Sequence, residues 1–269
     1  MTNVISFISI KGGAGKTTSV VNLGYVLAKH FNKRVLLVDG NFSSPNLIFH
    51  LGLSDPPIGI NEMIVNRLDP FKAIYTTQYG FHVLPAKLNN QKGVQVSLLR
   101  NYIDKLRHHY DFILIDSSPN VSAEITAAID ASGRVIVVLN PDFPGLSCAM
   151  HAIQIAKQLN HEVIGLIINM SFKSKNELDL NQIEDATGEK VLAKINFNRD
   201  IHEAVLKTEP LAINLKKDYI KEYIELAKYL ILCEDPENKD KEYKLKKSAK
   251  NIPAKNRISL LENCLKEEL

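Results

Sequence analysis

The chain has 269 residues, of which 45% are apolar and 23% are charged, and it contains no Trp. This apolar fraction is typical of a globular protein and excludes a wholly disordered or fibrous chain. The length suffices for one large α/β domain or two small domains. The three Cys residues share no close spacing, which predicts a reducing, cytoplasmic environment and neither a disulfide framework nor a zinc site. Neither a signal peptide nor a membrane-spanning run is expected.

The formal net charge of +3 is concentrated at the C-terminal end of the chain. Residues 1–235 hold 24 basic and 24 acidic side chains, whereas residues 236–269 hold 9 and 6. We therefore predict an electrically neutral domain over 1–235, followed by a basic linker and a short amphipathic helix over 236–269.

Short apolar runs alternate with longer segments of helical periodicity along the first 235 residues. The apolar runs are continuous, which is typical of strands covered on both faces of a sheet. The predicted strands cover 4–10, 34–38, 81–84, 112–115, 135–139, 163–168 and 191–195. The predicted helices cover 17–30, 95–109, 123–131, 146–159 and 178–187, with closing helices at 201–206 and 219–233. This alternation predicts an α/β fold with a doubly wound, mostly parallel sheet flanked by helices.

A segment rich in glycine and lysine joins the first predicted strand to the first predicted helix. It consists of Lys11, Gly12, Gly13, Ala14, Gly15, Lys16, Thr17 and Thr18. The backbone N–H groups of such a loop and the positive end of the helix form a site for a polyphosphate, and glycines leave room for its oxygens. We expect Lys16 to reach the β- and γ-phosphates and the Thr17 hydroxyl to ligate Mg²⁺. Tight strand–helix packing is the alternative reason for the glycines.

This loop departs from the usual P-loop pattern, because Ile10 stands where that pattern has its first glycine and Lys11 opens the loop. The arrangement resembles the deviant P-loop of the MinD/ParA family of ATPases. The resemblance implies binding of ATP and Mg²⁺ and an ATP-dependent homodimer, in which Lys11 of each subunit reaches the nucleotide of the other. An ordinary solvated lysine is the alternative interpretation of Lys11.

Later strands extend the resemblance to about residues 3–230. The strand ending at Asp39 resembles the family's second strand, which implies that Asp39 organises Mg²⁺ and a switch loop at 41–46. The strand ending at Asp116 resembles the Walker B strand, whose carboxylate ligates the hydrated cation. A second switch loop is expected at 117–120. The strand ending at Asn169 resembles the one whose terminal Asn contacts the adenine edge.

Two positions depart from the family pattern. Asn41 stands where the family usually has an Asp that positions the attacking water, and Asn196 stands where it has a Pro beside the adenine pocket. An Asn cannot act as a general base, although its amide can orient a water or simply stabilise a turn. We therefore expect slow hydrolysis. The expected catalytic residues are Lys11, Lys16, Asp39 and Asn41.

The last 34 residues combine a basic stretch with a short apolar pattern. Ile258, Leu261, Leu265 and Leu269 share one face of a predicted helix. Since MinD-type members dock on the bilayer through such a helix, the resemblance implies peripheral contact at the inner face of the membrane, gated by dimerisation. The alternatives are non-specific DNA contact, docking on a protein groove, and a solvated tail.

The resemblance favours an ATPase switch that dimerises with ATP and positions cell-division or other cellular machinery, with an activating protein partner. A ParA-like DNA partition ATPase and a scaffold that binds ATP without hydrolysing it are the alternatives. An iron-cluster reductase built on the same loop needs a cysteine pair after the Walker B strand, and Cys148 alone lies in that zone.

Overall fold

The computed structural model describes residues 2–53, 56–87, 93–208 and 218–233. The predicted basic linker and amphipathic helix at 236–269 lie outside these residues, so the domain boundary at 235 stays a prediction. In the part of the chain that is described, no helix is both long and apolar enough to cross a bilayer.

An eight-stranded sheet forms the centre of the described fold. Its strands are β1 (Asn3–Ile8), β2 (Val35–Gly40), β3 (Tyr75–Thr76), β4 (His82–Leu84), β5 (Phe112–Ser117), β6 (Arg134–Leu139), β7 (Glu162–Ser171) and β8 (Val191–Asn196). Their order across the sheet is β3-β4-β2-β5-β1-β6-β7-β8. The short β3 pairs antiparallel with β4, and the other pairs are parallel.

Helices connect the strands and cover the sheet. Those in the described ranges are α1 (Lys16–Tyr25), α2 (Leu47–His50), α3 (Ile60–Val65), α4 (Leu99–Leu106), α5 (Ala123–Ser132), α6 (Phe143–Gln158), α7 (Leu180–Thr187), α8 (Arg199–Leu206) and α9 (Asp218–Leu232). A π-helical turn at Val26–His30 continues α1. Parallel neighbouring strands need such crossover connections, because a tight turn cannot reverse the chain direction twice.

Alternate residues of the central strands face opposite sides of the sheet. Ile5 and Phe7 of β1 belong to a buried cluster with α1 and α9. Val4 packs instead in a cluster with α3, α4 and α5, and Ile8 packs with α5, α6 and α7. Burial of each such side chain contributes about 1.5–3 kcal/mol. The doubly wound, mostly parallel α/β fold predicted from the sequence is therefore confirmed.

The structure also contains elements that the sequence pattern did not predict. β3 has two residues and α2 has four, which is too short for hydrophobic periodicity to identify. The predicted first strand extends to residue 10, whereas β1 ends at Ile8, because the next residues belong to the glycine-rich loop. β7 runs to Ser171, beyond the predicted end at 168, so Asn169 lies within the strand.

Candidate nucleotide-binding site

A cleft of about 400 Å³ opens at the carboxyl edge of the sheet, where β1, β2, β5, β7 and β8 end. The loop at 9–15 and the start of α1 contribute Gly13, Gly15, Lys16, Thr17 and Thr18 to its lining. Segments after the other strands contribute Asn41, Asn46, His50, Ser117, Pro119, Asn169, Met170, Asn196, Phe197 and Asn198. Ligands of open α/β sheets bind at this edge.

The glycine-rich loop is shaped by Gly15 and held by an asparagine from β7. Gly15 precedes α1 in the left-handed region, with φ 95° and ψ 26°, a conformation that glycine adopts without strain. Asn169 is buried, and its Nδ2 donates a hydrogen bond to the Ala14 carbonyl oxygen at 2.8 Å. Asn140 in turn donates from Nδ2 to the Asn169 carbonyl oxygen at 3.2 Å. Asn169 therefore braces the loop as well as lining the cleft, and its contact with adenine stays a prediction.

Lys16 is buried to an extent that is unusual for a lysine, with 7% of its surface exposed. Its Nζ donates to the Ser9 carbonyl oxygen at 3.4 Å. Burial lowers the pKa of Lys16, and the negative charge of Asp116 acts in the opposite direction. A buried ammonium group held by one long hydrogen bond is expected to gain from an anion that enters the cleft.

Two aspartates meet beneath the cleft. Asp39 of β2 and Asp116 of β5 are register partners in the parallel pair, and both are buried. Burial and then the neighbouring Asp116 raise the pKa of Asp39 to about 8. Burial also raises the pKa of Asp116, against the lowering effects of the Thr17 hydrogen bond and the Lys16 charge. Each carboxylate is therefore easier to ionise when a cation is near.

The oxygen atoms around Asp116 fit a magnesium ion. Its Oδ2 accepts a hydrogen bond from the Thr17 hydroxyl at 2.6 Å, whereas its buried Oδ1 has no hydrogen-bond partner among the residues that the structure describes. Buried carboxylate oxygens without a partner are rare in folded proteins. A hydroxyl and a carboxylate beside a phosphate loop are the donor set that Mg²⁺ prefers. Thr17, Asp116 and the adjacent Asp39 therefore fit the predicted metal site.

Asp39 holds the segment that follows β2. Its Oδ1 accepts from the backbone N–H of Asn41 at 3.0 Å, and its Oδ2 accepts from those of Asn46 and Leu47 at 3.2 and 3.1 Å. Leu47 is the first residue of α2. Because both oxygens of Asp39 bind backbone N–H groups, this carboxylate fixes the position of the expected switch loop and of α2 beside the cleft.

Asn41 is buried and uses its side chain within its own turn. Its Nδ2 donates to the Ser44 carbonyl oxygen, and its Oδ1 accepts from the Ser44 N–H at 3.3 Å. Each end of the amide therefore makes one bond within the turn. Of the two roles that the sequence left open, this geometry favours stabilisation of the turn, because both bonds are made to Ser44.

Lys11 lies at the entrance to the loop, outside the lining of the cleft. Its Nζ forms an ion pair with Asp142 at 2.9 Å, and both side chains are partly exposed. Asp142 is the N-cap of α6 and also accepts from the Gly145 N–H at 2.6 Å. In the single chain Lys11 is therefore held by α6, and its contact with a partner's nucleotide stays a prediction.

His50 and Phe197 are among the side chains of the cleft that were missed from the sequence. His50 is the last residue of α2. Phe197 follows β8 and stacks on Phe172, with ring centroids 4.5 Å apart and planes inclined by 21°. Both residues lie in short segments outside any motif. The sequence signal available for these two residues was a polar or aromatic side chain in the segment that follows a predicted strand.

The similarity to known proteins covers most of the chain. The family model described as an AAA domain matches residues 2–172. An uncharacterized ATP-binding protein of Methanocaldococcus jannaschii is 30% identical over 215 residues, which span 79% of this chain and 81% of that protein. The septum site-determining protein MinD of Thermotoga maritima is 29% identical over 238 residues, with 85% and 88% covered.

Solved structures share both the fold and part of the sequence. The septum site-determining protein MinD from Pyrococcus horikoshii OT3, complexed with Mg-ADP, superposes with a TM-score of 0.81 at 28% identity. The superposition covers 86% of this chain and 96% of that one. The segment matched by the family model contains the whole glycine-rich loop and the strands that carry Asp39 and Asp116. The chain belongs to the MinD/ParA family of P-loop ATPases.

Proposed function

We propose that the chain is an ATP-dependent switch, which hydrolyses ATP slowly and forms a homodimer while ATP is bound. The observation that carries the proposal is the buried pair of Lys16 and Asp116 beside the glycine-rich loop. Lys16 Nζ donates one long hydrogen bond, and Asp116 Oδ1 has no hydrogen-bond partner among the described residues. Both deficits are met by a nucleotide phosphate with its cation.

Different residues around the cleft bind the phosphates and the metal ion. The loop N–H groups and Lys16 bind the phosphates, and Thr17 and Asp116 hold Mg²⁺. When bound, this ion neutralises negative charge on the phosphates. Asp39 acts mainly through the segment that it anchors, because its oxygens bind backbone N–H groups.

Exposed apolar side chains beside Lys11 support the dimer. Phe143 follows Asp142 directly and is 74% exposed. Val121 is 55% exposed, and the N–H of the residue before it donates to the Ile10 carbonyl oxygen at 3.2 Å. Both therefore belong to segments that contact the loop at Ile10 and Lys11. Large apolar side chains grouped on one face are typical of a contact surface, and a second subunit docked there would cover them.

A role in positioning cell-division or other machinery is supported by the relatives named as septum site-determining proteins. In this proposal the C-terminal segment attaches the switch to its target, which is either a membrane or DNA. An activating protein partner would set the time at which hydrolysis occurs. The occupied amide of Asn41 favours a second candidate, a scaffold that binds ATP without hydrolysing it.

The dimer is tested by sedimentation of the protein with ATP or ADP, in parallel with release of phosphate. We expect the parent chain to dimerise with ATP alone, and Lys11→Ala to bind ATP but remain monomeric. Lys157→Ala is the matched control, since Lys157 also forms a surface ion pair, at 2.7 Å with Glu189. A Lys11→Ala dimer as stable as that of the parent would contradict the proposed role of Lys11. Dimerisation without any phosphate release would favour the scaffold.

A further inference from the structure

His50 stands out among the side chains that line the cleft. In the described lining, Lys16 and His50 are the titratable groups, and Lys16 has a cationic side chain that donates to phosphate. Asp39 and Asp116 lie below the surface, where Asp39 binds three backbone N–H groups. A neutral imidazole is therefore the one basic nitrogen that faces the cleft within this lining.

Hydrolysis requires a group that orients the attacking water. The residue expected in that role from the sequence is Asn41, whose amide is occupied at both ends by Ser44. These bonds leave Asn41 able to hold a water, because each end of an amide can form a second hydrogen bond, but an amide cannot accept a proton as a general base. The group that accepts the proton is therefore left to another residue.

The hydrogen bond of His50 fixes which ring nitrogen is available. His50 Nδ1 lies 3.1 Å from the Asn46 carbonyl oxygen. Because a carbonyl oxygen can only accept, Nδ1 carries the hydrogen, and the neutral ring has its lone pair on Nε2. Nε2 has no hydrogen-bond partner among the described residues.

The topology places His50 at the phosphate end of the cleft. It follows β2, on the side of β1 opposite to β7 and β8, whose ends carry Asn169 and Phe197. Its helix begins at Leu47, whose backbone N–H donates to Asp39, the register partner of Asp116. The glycine-rich loop lies between His50 and the expected base-binding end.

We infer that His50 Nε2 orients the attacking water and accepts its proton during ATP hydrolysis, an inference that rests on the proposed function. The water oxygen forms a bond to the γ-phosphorus. The bond from that phosphorus to the β–γ bridging oxygen breaks, and its electron pair stays on ADP. One water proton remains on the product phosphate, and the other passes through Nε2 to the solvent. His50 thus supplies the function that an Asp performs elsewhere in the family.

The test compares His50→Ala with the parent in single-turnover hydrolysis of saturating Mg-ATP, together with the dissociation constant of ATP. Loss of such a group slows the chemical step by about 100-fold, and the dissociation constant should stay within about twofold. Imidazole added to the buffer should restore part of the His50→Ala rate, because it can occupy the vacated space. His151→Ala is the matched control, as His151 is exposed on α6 and lies outside the cleft lining.

Each remaining outcome overturns a defined statement. Lys16→Ala gives the background rate, and a parent no faster than this background overturns both the proposed ATPase and the role of His50. A parent clearly above background with an unchanged His50→Ala rate overturns the role of His50 alone. A slow variant with a parallel loss of ATP affinity, or without imidazole rescue, shows a binding or structural role and also overturns it.

Discussion

Gly15 determines the shape of the nucleotide loop through two independent constraints. Its φ of 95° lies in the left-handed region, where a side chain costs about 1–2 kcal/mol. A Cβ at this position would also lie 1.8 Å from Asn169 Nδ2. Since that Nδ2 holds the Ala14 carbonyl oxygen, a side chain at Gly15 disturbs both the backbone and its brace.

Gly15→Ala should therefore lower the free energy of unfolding of the nucleotide-free protein by about 2–3 kcal/mol, the sum of backbone strain and a lost buried hydrogen bond. Urea denaturation at constant slope measures the change. Gly12→Ala is the control, because a Cβ at Gly12 meets no atom within 4 Å, and it should change stability by less than about 0.5 kcal/mol. Equal losses in the two variants would show that general loop stiffness matters rather than contact with Asn169.

The sequence predicted the residues of the site better than it predicted their partners. Lys16, Thr17 and Asp116 come together as expected, because a motif fixes the first two and a strand end fixes the third. The ion pair between Lys11 and Asp142 and the bonds of the Asn41 amide were not predicted. These depend on side-chain positions that residue type and spacing do not determine. For Asn41, residue type and spacing are compatible with two roles, and local geometry favours one of them.

At the scale of elements, β2 and β5 are joined at their beginnings as well as along their ladder. Arg34 precedes β2 and Asp111 precedes β5. The guanidinium group donates to Asp111 Oδ1 at 2.7 Å, and the Arg34 N–H donates to Oδ2 at 2.8 Å. The Arg34 side-chain hydrogen bond is the main cause that holds the pKa of Asp111 below its usual value. The pair fixes the start of both strands, and hence their register.

Asp111→Ala should reduce stability at pH 7 by about 1 kcal/mol, because the pair is partly exposed and screened by solvent. The folded-state pKa is lower than the unfolded value of about 3.9. The stabilisation is therefore present above that pH and is lost as the pH falls through the folded-state pKa. Denaturation at pH 7 and pH 3 should show a difference between parent and variant that shrinks in acid.

Asp104→Ala provides the comparison for this pH effect. Asp104 forms an ion pair with Arg107 at 2.7 Å, at the end of α4. This pair lies within one helical region and does not connect two strands. Such a pair within one helical segment contributes about 0.3–0.5 kcal/mol. A loss for Asp111→Ala that is no larger than this, or one that persists undiminished at pH 3, would contradict the stabilising role of the pair.

The elements predicted from the sequence were those long enough to show periodicity. Continuous apolar runs identified β1, β2 and β5, since both faces of these strands are buried. α2 was missed, although it carries His50, because four residues complete scarcely more than one helical turn. What positions α2 is its attachment to Asp39, a contact between segments that local sequence does not encode.

At the scale of the whole molecule, the residues that bind the nucleotide and its cation lower the stability of the empty protein. The nucleotide-free fold buries Asp39 and Asp116 side by side, and within the described ranges Asp116 Oδ1 has no hydrogen-bond partner. Such an arrangement reduces the stability of the empty protein and is relieved when a cation binds. Function is thus maintained at the expense of stability, as is common at active sites.

Asp116→Asn should raise the melting temperature of the nucleotide-free protein by about 2–4 °C, which corresponds to about 1 kcal/mol for a chain of this size. The neutral amide removes one of the two adjacent carboxylates and can still accept from the Thr17 hydroxyl. The additional stabilisation that Mg²⁺ gives in the presence of ATP should disappear in this variant. Thermal unfolding with ATP, in Mg²⁺ and in EDTA, measures both effects.

Asp130→Asn serves as the control for the loss of a carboxylate, since Asp130 lies outside the cleft and its side chain on α5 is 47% exposed. Its melting temperature should change by less than about 1 °C, as expected for a surface substitution. A lower melting temperature for empty Asp116→Asn, or an undiminished response to Mg²⁺, would be inconsistent with the carboxylate pair as the metal site.

Asp39 and Asp116 are paired in the ladder between β2 and β5, and this pairing limits where residues can be inserted in members of this family. Insertion of one residue within either strand would turn its carboxylate to the opposite face, and insertion of two would displace it by about 6.6 Å along the strand. Insertions in the long connection between the strands leave the ladder intact. The distance between the two carboxylates is therefore set by the backbone register of the two strands. The surface elements that connect these strands can change in sequence and length while the metal site is preserved.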